Sequence, residues 1–232
     1  MDRQRLKEIM FDQKEVFNRQ RDLIERDLDL DKYIQSGQVV VISGIRRCGK
    51  SSLLFLLKEK MGLAEEKYCY FNFDDERITP EISILENIVN LHIEIYGAYP
   101  TLFFDEIQNI GDWEKFINRM YERGTKVFIT GSNARLLSSE IATSLTGPNK
   151  VIELFPFSFS EYLRFLHRVY DLNRLTSGNR ALLQKDFNRY LEIGGFPLVV
   201  RENDLELINS YYQDILYRDI ISRYRLSQVN EL

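Results

Sequence analysis

The chain has 232 residues, 44% of them hydrophobic and 28% charged, which is enough to bury a substantial core within one large domain. Its formal net charge of −4 argues against a broadly basic surface for nucleic acids. Two cysteines and two histidines leave little material for a disulfide framework, a histidine-rich metal site or a Ser-His-Asp triad.

The first 35 residues carry apolar positions at roughly helical spacing among many charges, with a break predicted near Asp12. We expect this leader to form helices that pack on the core. An alternative is that it reaches the base of a nucleotide bound by the stretch that follows it. Because no apolar run approaches the length of about 18 residues that spans a bilayer, and no signal peptide is recognisable, we expect a cytoplasmic protein.

Residues 44–51 match the phosphate-binding loop, in which two glycines five positions apart are followed by Lys and Ser. A buried strand is predicted before it, over 38–43, and a helix after it, over 51–60. This context favours nucleotide binding over a chance match. The predicted phosphate-binding residues are Gly44, Ile45, Arg46, Arg47, Cys48, Gly49, Lys50, Ser51 and Ser52.

Each residue type in this loop has a chemical reason. Glycines allow successive N–H groups to approach phosphate oxygens closely, and the following helix adds its positive end. We expect Lys50 to reach the β- and γ-phosphates and the Ser51 hydroxyl to coordinate the magnesium that bridges them.

A second strand is predicted over 68–73, and an acidic cluster at 74–76 follows it. We interpret that cluster as solvated turn carboxylates. Pro80 is predicted to open a helix that runs to Ile95 and is closed by Gly97.

The stretch 101–106 is an apolar strand that ends in two carboxylates, which is the Walker B form. At the carboxyl end of a strand beside the phosphate loop, we expect Asp105 to hold magnesium through its water shell. Glu106, one residue further, is predicted to orient the attacking water.

An amphipathic helix is predicted over 112–121, with Trp113 in the core. The next strand, over 126–130, runs into Ser132 and Asn133. A polar side chain at this position could contact the γ-phosphate or the lytic water, and a plain turn is the alternative.

A fifth strand is predicted over 150–155, followed by a helix over 161–170 that Ser160 would cap. Beyond it the pattern predicts only helices, around 182–193 and 205–224. We interpret this end of the chain as a small helical subdomain.

Taken together, these motifs resemble the AAA+ ATPases, and more narrowly the bacterial and archaeal predicted ATPases that carry a C-terminal domain of unknown function. The resemblance implies an α/β P-loop fold with a parallel five-stranded sheet in the order 5-1-4-3-2, and a helical lid after Phe155. It also implies ATP and Mg²⁺ as ligands. The predicted domains are a leader (1–35), an ATPase core (36–156) and a lid with the start of a C-terminal region (157–232). The matching stretches are 44–51, 102–108, 130–133, 155–159 and 194–197.

Two departures from the family pattern affect these expectations. Gly147 is followed by Pro148 and Asn149 where an arginine is usual, so an arginine contact from that position is not expected. The C-terminal domain looks cut short, so we expect a fragment of a longer protein, whose partner depends on the remaining part. If a neighbouring subunit completes the site in a homo-oligomer, Arg123 and Arg135 are candidates to supply the arginine.

Other nucleotide-binding classes fit less well. A GTPase should carry Asn-Lys-x-Asp after a strand, whereas residues 149–152 lack the Asp and precede their strand. A small-molecule kinase would show substrate-clamping arginines that the sequence does not reveal. A nucleotide-gated interaction module with little or no turnover remains the non-enzymatic alternative.

Overall fold

Helices and strands alternate along most of the computed structural model, which describes residues 2–20, 22–132 and 148–215. Short 3₁₀ turns occur at Glu65–Lys67 and Ile107–Asn109. The strands are β1 (Val39–Gly44), β2 (Tyr68–Asn72), β3 (Thr101–Asp105), β4 (Val127–Ser132) and β5 (Asn149–Glu153). The helices between them are α1 (Arg3–Asn18), α2 (Asp31–Ile34), α3 (Lys50–Lys60), α4 (Ser83–Tyr96) and α5 (Trp113–Glu122). After β5 come α6 (Phe159–Phe165), α7 (Ser177–Ile193), α8 (Pro197–Glu202) and α9 (Glu206–Asp214).

The described residues fall into two compact units. The first consists of 2–20, 29–44, 50–132 and 148–153, and the second of 22–28, 45–49 and 154–215. None of the helices in these ranges is both long and apolar enough to cross a bilayer.

The first unit is built on a five-stranded parallel sheet in the order β2-β3-β4-β1-β5. This is the predicted order 5-1-4-3-2, which is therefore confirmed. In the register, Asn72 lies opposite Asp105 and Gly44 opposite Ser132. Because all strands are parallel, their carboxyl ends meet at one edge of the sheet.

The side chains of the central strands are buried on both faces of this sheet, as is typical of parallel sheets. One face carries a single apolar cluster that includes Val41, Phe71 and Phe104, together with residues of α1, α4 and α5. Trp113 belongs to this cluster and is 4% exposed, which confirms its predicted place in the core.

The predicted break near Asp12 is wrong, because α1 is continuous from Arg3 to Asn18. The helix buries Leu6, Ile9 and Phe17 on one face. Asp12 projects to the exposed face, where Arg77 pairs with it at 2.6 Å. A polar residue on the solvent side of a helix interrupts nothing as long as the apolar stripe continues.

The helix after β5 also differs from the prediction. It begins at Phe159 and ends at Phe165, and its N-cap is Ser158 instead of Ser160. The Ser158 hydroxyl accepts from the backbone N–H of Glu161, and the Glu161 carboxylate accepts from the backbone N–H of Ser158. Because this reciprocal capping box needs Glu three residues after the cap, Ser158 has the spacing that Ser160 lacks.

The second unit has its own apolar cluster, built from α6 to α9 and including Phe157, Val199 and Tyr211. Gly195 packs against the backbone of Phe157, whose N–H donates to the Gly195 carbonyl at 2.7 Å. A Cβ added at Gly195 would lie 2.1 Å from the Phe157 carbonyl oxygen, which is far inside contact distance. Two of the stretches that carry the family resemblance, 155–159 and 194–197, therefore meet here.

We expect Gly195→Ala to lower the free energy of unfolding by about 3 kcal/mol, the upper range for overpacking, because main-chain atoms cannot move aside as a side chain would. Urea unfolding followed by circular dichroism measures this effect. The matched control is Gly178→Ala in the first turn of α7, where the nearest atom to an added Cβ is the Thr176 hydroxyl at 4.0 Å. Equal stability of both variants would contradict the packing argument.

Candidate functional site

The predicted site residues of the first unit lie together at the carboxyl ends of the strands. Gly44 ends β1, Asp105 ends β3 and Ser132 ends β4. Lys50 and Ser51 begin α3, whose first N–H groups lack partners within the helix. Parallel strands place such ends together, and ligands of open α/β sheets bind outside them.

Asp105 is held by hydrogen bonds on both oxygens and is 1% exposed. Oδ1 accepts from the Thr130 hydroxyl, and Oδ2 accepts from the Tyr70 hydroxyl at 3.1 Å. The Ser51 hydroxyl lies close enough to this carboxylate to lower its pKa, so the two predicted metal ligands are neighbours.

Burial raises the pKa of Asp105 above its ordinary value, an effect that the hydrogen bonds from Ser51, Thr130 and Tyr70 oppose. A cation bound at this carboxylate would favour the ionised form and so compensate for the burial. The hydrogen bonds thus fix the orientation of the Asp105 carboxylate, and a bound cation would balance its negative charge.

Glu106 lies at the turn after β3 and has left-handed backbone angles (φ 55°, ψ 45°). Its N–H donates to the Thr130 hydroxyl oxygen at 3.0 Å, so Thr130 links both acidic residues. Left-handed angles are uncommon for residues other than glycine. The Glu106 side chain therefore points in a different direction from the one it would have if β3 continued through this residue.

Lys50 is buried, and its ammonium group lies among oxygen atoms. Nζ donates to the Gly44 carbonyl at 3.1 Å and lies 3.6 Å from Oε1 of Glu106. The other carboxylate oxygen of Glu106 accepts from the side-chain amide of Gln108. The predicted catalytic pair Lys50 and Glu106 is thus assembled at the sheet edge, with Gln108 as an additional partner.

Loop residues 45–49 belong to the second unit. Arg47 (φ 64°) and Gly49 (φ 102°) both have positive φ values, and that of Gly49 is one that side chains rarely adopt. Cys48 is fully buried, whereas the Arg47 side chain pairs with Asp214 at 2.7 Å and lies 4.1 Å from the ring centroid of Tyr211. The side chains of Arg47 and Cys48 are therefore in contact with other residues of the protein.

Magnesium and a triphosphate fit the donor set at the sheet edge. The buried Lys50 ammonium group, the Ser51 hydroxyl and the Asp105 carboxylate are the kinds of group that this ligand pair requires. Hard oxygen donors suit Mg²⁺, and the main-chain N–H groups at the start of α3 suit phosphate. In the described ranges, no cluster of three or more His, Cys, Asp or Glu offers a competing metal site.

The remaining predicted residues are placed as follows. Ser52 lies in the first turn of α3, half-buried. Ser132 is the last residue of β4, and its side chain, like Asn133 and Arg135, lies outside the described residues. Arg123 lies just after α5, beside Thr101 and Lys126 near the amino ends of β3 and β4.

The acidic cluster after β2 is better paired than predicted. Asp75 accepts from the side chains of Gln13 at 2.9 Å and Arg77 at 2.8 Å. Hydrogen bonds from Arg77 hold the pKa of Asp75 well below its usual range. This carboxylate joins α1 to the turn after β2 and is a structural group rather than a solvated one.

Sequence reasoning missed several groups that position the predicted site residues. Thr130 contacts both acidic residues, Tyr70 contacts Asp105, and Gln108 contacts Glu106. Thr130 lies in a stretch already singled out, but only its hydrogen bond to Asp105 reveals its role. The available signal for Tyr70 was a tyrosine hydroxyl within a buried strand, since buried Tyr hydroxyls need a partner, but Tyr68 in the same strand carries the same signal and bonds Asn18 instead.

A protein-family model and several relatives match this chain. The model of a family described as "AAA domain" matches residues 36–163. The uncharacterized protein MJ1544 of Methanocaldococcus jannaschii is 34% identical over 231 residues, which cover 97% of this chain and 51% of that protein. An uncharacterized protein of Haemophilus influenzae is 33% identical over 213 residues, covering 87% of this chain and 51% of its own length.

The chain thus spans about half the length of the curated relatives it matches. Among solved structures, Hsp104 of S. cerevisiae in its casein complex aligns with 86% of this chain and 39% of its own, at 15% identity and a TM-score of 0.49. So low an identity and score carry no argument about function.

Proposed function

Because the chain belongs to the AAA domain family, we propose that it binds ATP with magnesium and hydrolyses the nucleotide to ADP and phosphate. The observation that carries the proposal is the contact network at the sheet edge. Lys50 lies 3.6 Å from Glu106, and Asp105, beside the Ser51 hydroxyl, accepts hydrogen bonds from Thr130 and Tyr70. Burying charged groups costs free energy unless they are paired, so a bound triphosphate and metal explain this arrangement better than a role in the folded core does.

In this proposal the phosphate-binding loop, residues 44–52, binds the triphosphate. The main-chain N–H groups of 45–49 and of the start of α3 donate to phosphate oxygens, and the Lys50 ammonium donates to the β- and γ-phosphates. Ser51 and Asp105 would hold the metal. Mg²⁺, when bound, neutralises charge on the β- and γ-phosphates.

Glu106 is proposed to accept a hydrogen bond from the attacking water and to orient it. The water gives a proton to the Glu106 carboxylate as a bond forms between its oxygen and the γ-phosphorus. The bond from that phosphorus to the bridging oxygen breaks, ADP leaves, and Glu106 releases the proton to the phosphate or to solvent. Thr130 fixes the backbone from which Glu106 projects, through the 3.0 Å hydrogen bond from the Glu106 N–H. Ser132 and Asn133 remain proposed as contacts of the γ-phosphate or the water.

Two further proposals concern coupling. The helices after β5 are proposed to act as a lid whose position follows the nucleotide state, and a second copy of the chain is proposed to contribute an arginine to a shared site. Light scattering with and without a non-hydrolysable ATP analogue tests the second idea, which a monomer under both conditions would refute.

The proposed function is tested by calorimetric titration with Mg·ATP and by measuring phosphate release with magnesium or with excess EDTA. We expect binding of ATP and magnesium-dependent release of phosphate, since Ser51 and Asp105 supply metal ligands. Binding without phosphate release would favour the nucleotide-gated module instead. A chain that binds no nucleotide would refute the proposal.

A further inference from the structure

Arg26 is a buried arginine in the segment before β1, only 8% exposed. Its guanidinium donates to Glu161 through Nε at 2.8 Å and through Nη2 at 3.2 Å. Nη2 also donates to the Phe155 carbonyl at 2.7 Å, and the group lies 5.1 Å from the ring centroid of Phe157. Such a forked contact fixes the plane of the guanidinium.

The remaining nitrogen of this guanidinium faces the phosphate loop. Nη1 donates to the Cys48 carbonyl at 3.4 Å, a long hydrogen bond, and a Cβ added at Gly49 would lie 3.7 Å from it. Arg26, the loop residues 45–49 and Glu161 all belong to the second unit. Arg26 is thus packed against the main chain of the loop at one defined peptide.

The contact with the Cys48 carbonyl has a consequence for the next N–H. The Cys48 carbonyl and the Gly49 N–H belong to one peptide group, and in a planar trans peptide these two groups point in opposite directions. A donor that holds the carbonyl on one side therefore keeps the N–H directed to the other side. This peptide precedes Gly49, which has a φ of 102° and no side chain that would restrict the backbone.

Glu161 is fixed independently of Arg26. Its carboxylate accepts from the backbone N–H of Ser158 at 2.9 Å and of Asp27 at 2.8 Å. Burial opposes ionisation of Glu161, but the hydrogen bonds from Arg26 and these two N–H groups hold its pKa below the ordinary value. The start of α6 thereby anchors the arginine that reaches the loop.

Arg164 provides a contrast within the same unit. It joins the same two segments by donating to the Glu25 carbonyl and to Asp27, but its side chain is 43% exposed. Among the described residues it makes no contact with loop residues 45–49. An arginine needed only to hold these segments together could lie where Arg164 does, at the surface, where desolvation costs little.

We propose that Arg26 is a positioning residue of the phosphate loop, holding the Cys48 carbonyl so that the Gly49 N–H is presented on the opposite side for a phosphate oxygen. This inference rests on the proposed ATP function for the identity of the ligand. The contact with the loop itself does not depend on that function.

The test compares Arg26→Gln with Arg164→Gln as the matched control. We expect Arg26→Gln to raise both the Kd for Mg·ATP and the KM about tenfold, the loss of one oriented donor to a charged group, while kcat changes by less than about twofold. Arg164→Gln should leave all three constants within about twofold, because an exposed ion pair contributes little.

A second variant guards against loss of folding, since removing one member of a buried ion pair leaves the other without its partner. The double variant Arg26→Met with Glu161→Gln removes both charges and keeps an acceptor for the Ser158 N–H. It should be folded by circular dichroism and should show the same rise in Kd and KM as Arg26→Gln.

Hydrogen exchange in the ATP-free chain supplies a measurement that is independent of ATP binding. We expect peptides covering 45–49 to exchange about tenfold faster in the Arg26 variants than in Arg164→Gln, because the restraint on the loop is lost. Equal loop exchange and equal ATP affinity in all variants would overturn the proposal. If the wild-type chain binds no ATP, the ATPase proposal fails, and the exchange data alone decide whether Arg26 holds the loop.

Discussion

Lys50→Ala is expected to weaken the affinity for ATP by roughly 100-fold or more, since a hydrogen bond to a charged group contributes about 1.5–3 kcal/mol and the lysine is proposed to contact two phosphates. The side chain is buried, and its ammonium group already lies among oxygen atoms of Gly44 and Glu106. Without the ammonium group, no cation at this position balances the negative charge of Glu106 and of an incoming triphosphate. Calorimetric titration with Mg·ATP measures the change.

The control for this variant is Lys60→Ala at the other end of the same helix. Lys60 pairs with Asp31 at 2.8 Å and its side chain is 36% exposed, so we expect ATP affinity to stay unchanged. Both variants should be folded by circular dichroism, because Glu106 is partly exposed and retains its contact with Gln108. Unchanged ATP affinity in Lys50→Ala would remove the phosphate-binding role from this loop.

Glu106→Gln is expected to keep ATP binding and to lower the rate of hydrolysis by roughly 10²–10⁴-fold, the range for loss of a general base. The amide has the shape of the carboxylate and can still accept from Gln108, so the turn after β3 should be preserved. What it loses is the negative charge that attracts a proton of the attacking water. Single-turnover phosphate release at saturating ATP, combined with calorimetry, separates the chemical step from binding.

Glu122→Gln, on the exposed end of α5, is the matched control and should hydrolyse ATP at the wild-type rate. Hydrolysis by Glu106→Gln at an unchanged rate would show that Glu106 does not orient the water. If both Glu106→Gln and the wild-type chain bind ATP without releasing phosphate, the nucleotide-gated module becomes the better description.

The sequence predicted the strands with small errors at their ends and, through the family resemblance, the order of the sheet. The strand predictions succeeded because strand and loop signals are local. The run of valines at 39–41 and the glycine spacing of 44–49 can be interpreted without knowing any other part of the chain. Prediction failed for Ser160, where two serines could each cap a helix and only the position of Glu161 decided between them.

Local patterns therefore determined an acidic pair at the end of β3 and strands suited to a parallel sheet, and they predicted a phosphate-binding loop. Only the tertiary structure decided which groups hold those residues in place. Thr130 reaches Asp105 from 25 positions away, and Arg26 reaches Glu161 from 135 positions away. Such partners depend on strand register and on packing across the chain, and a hydroxyl or a guanidinium shows no preference in sequence for one distant carboxylate over another.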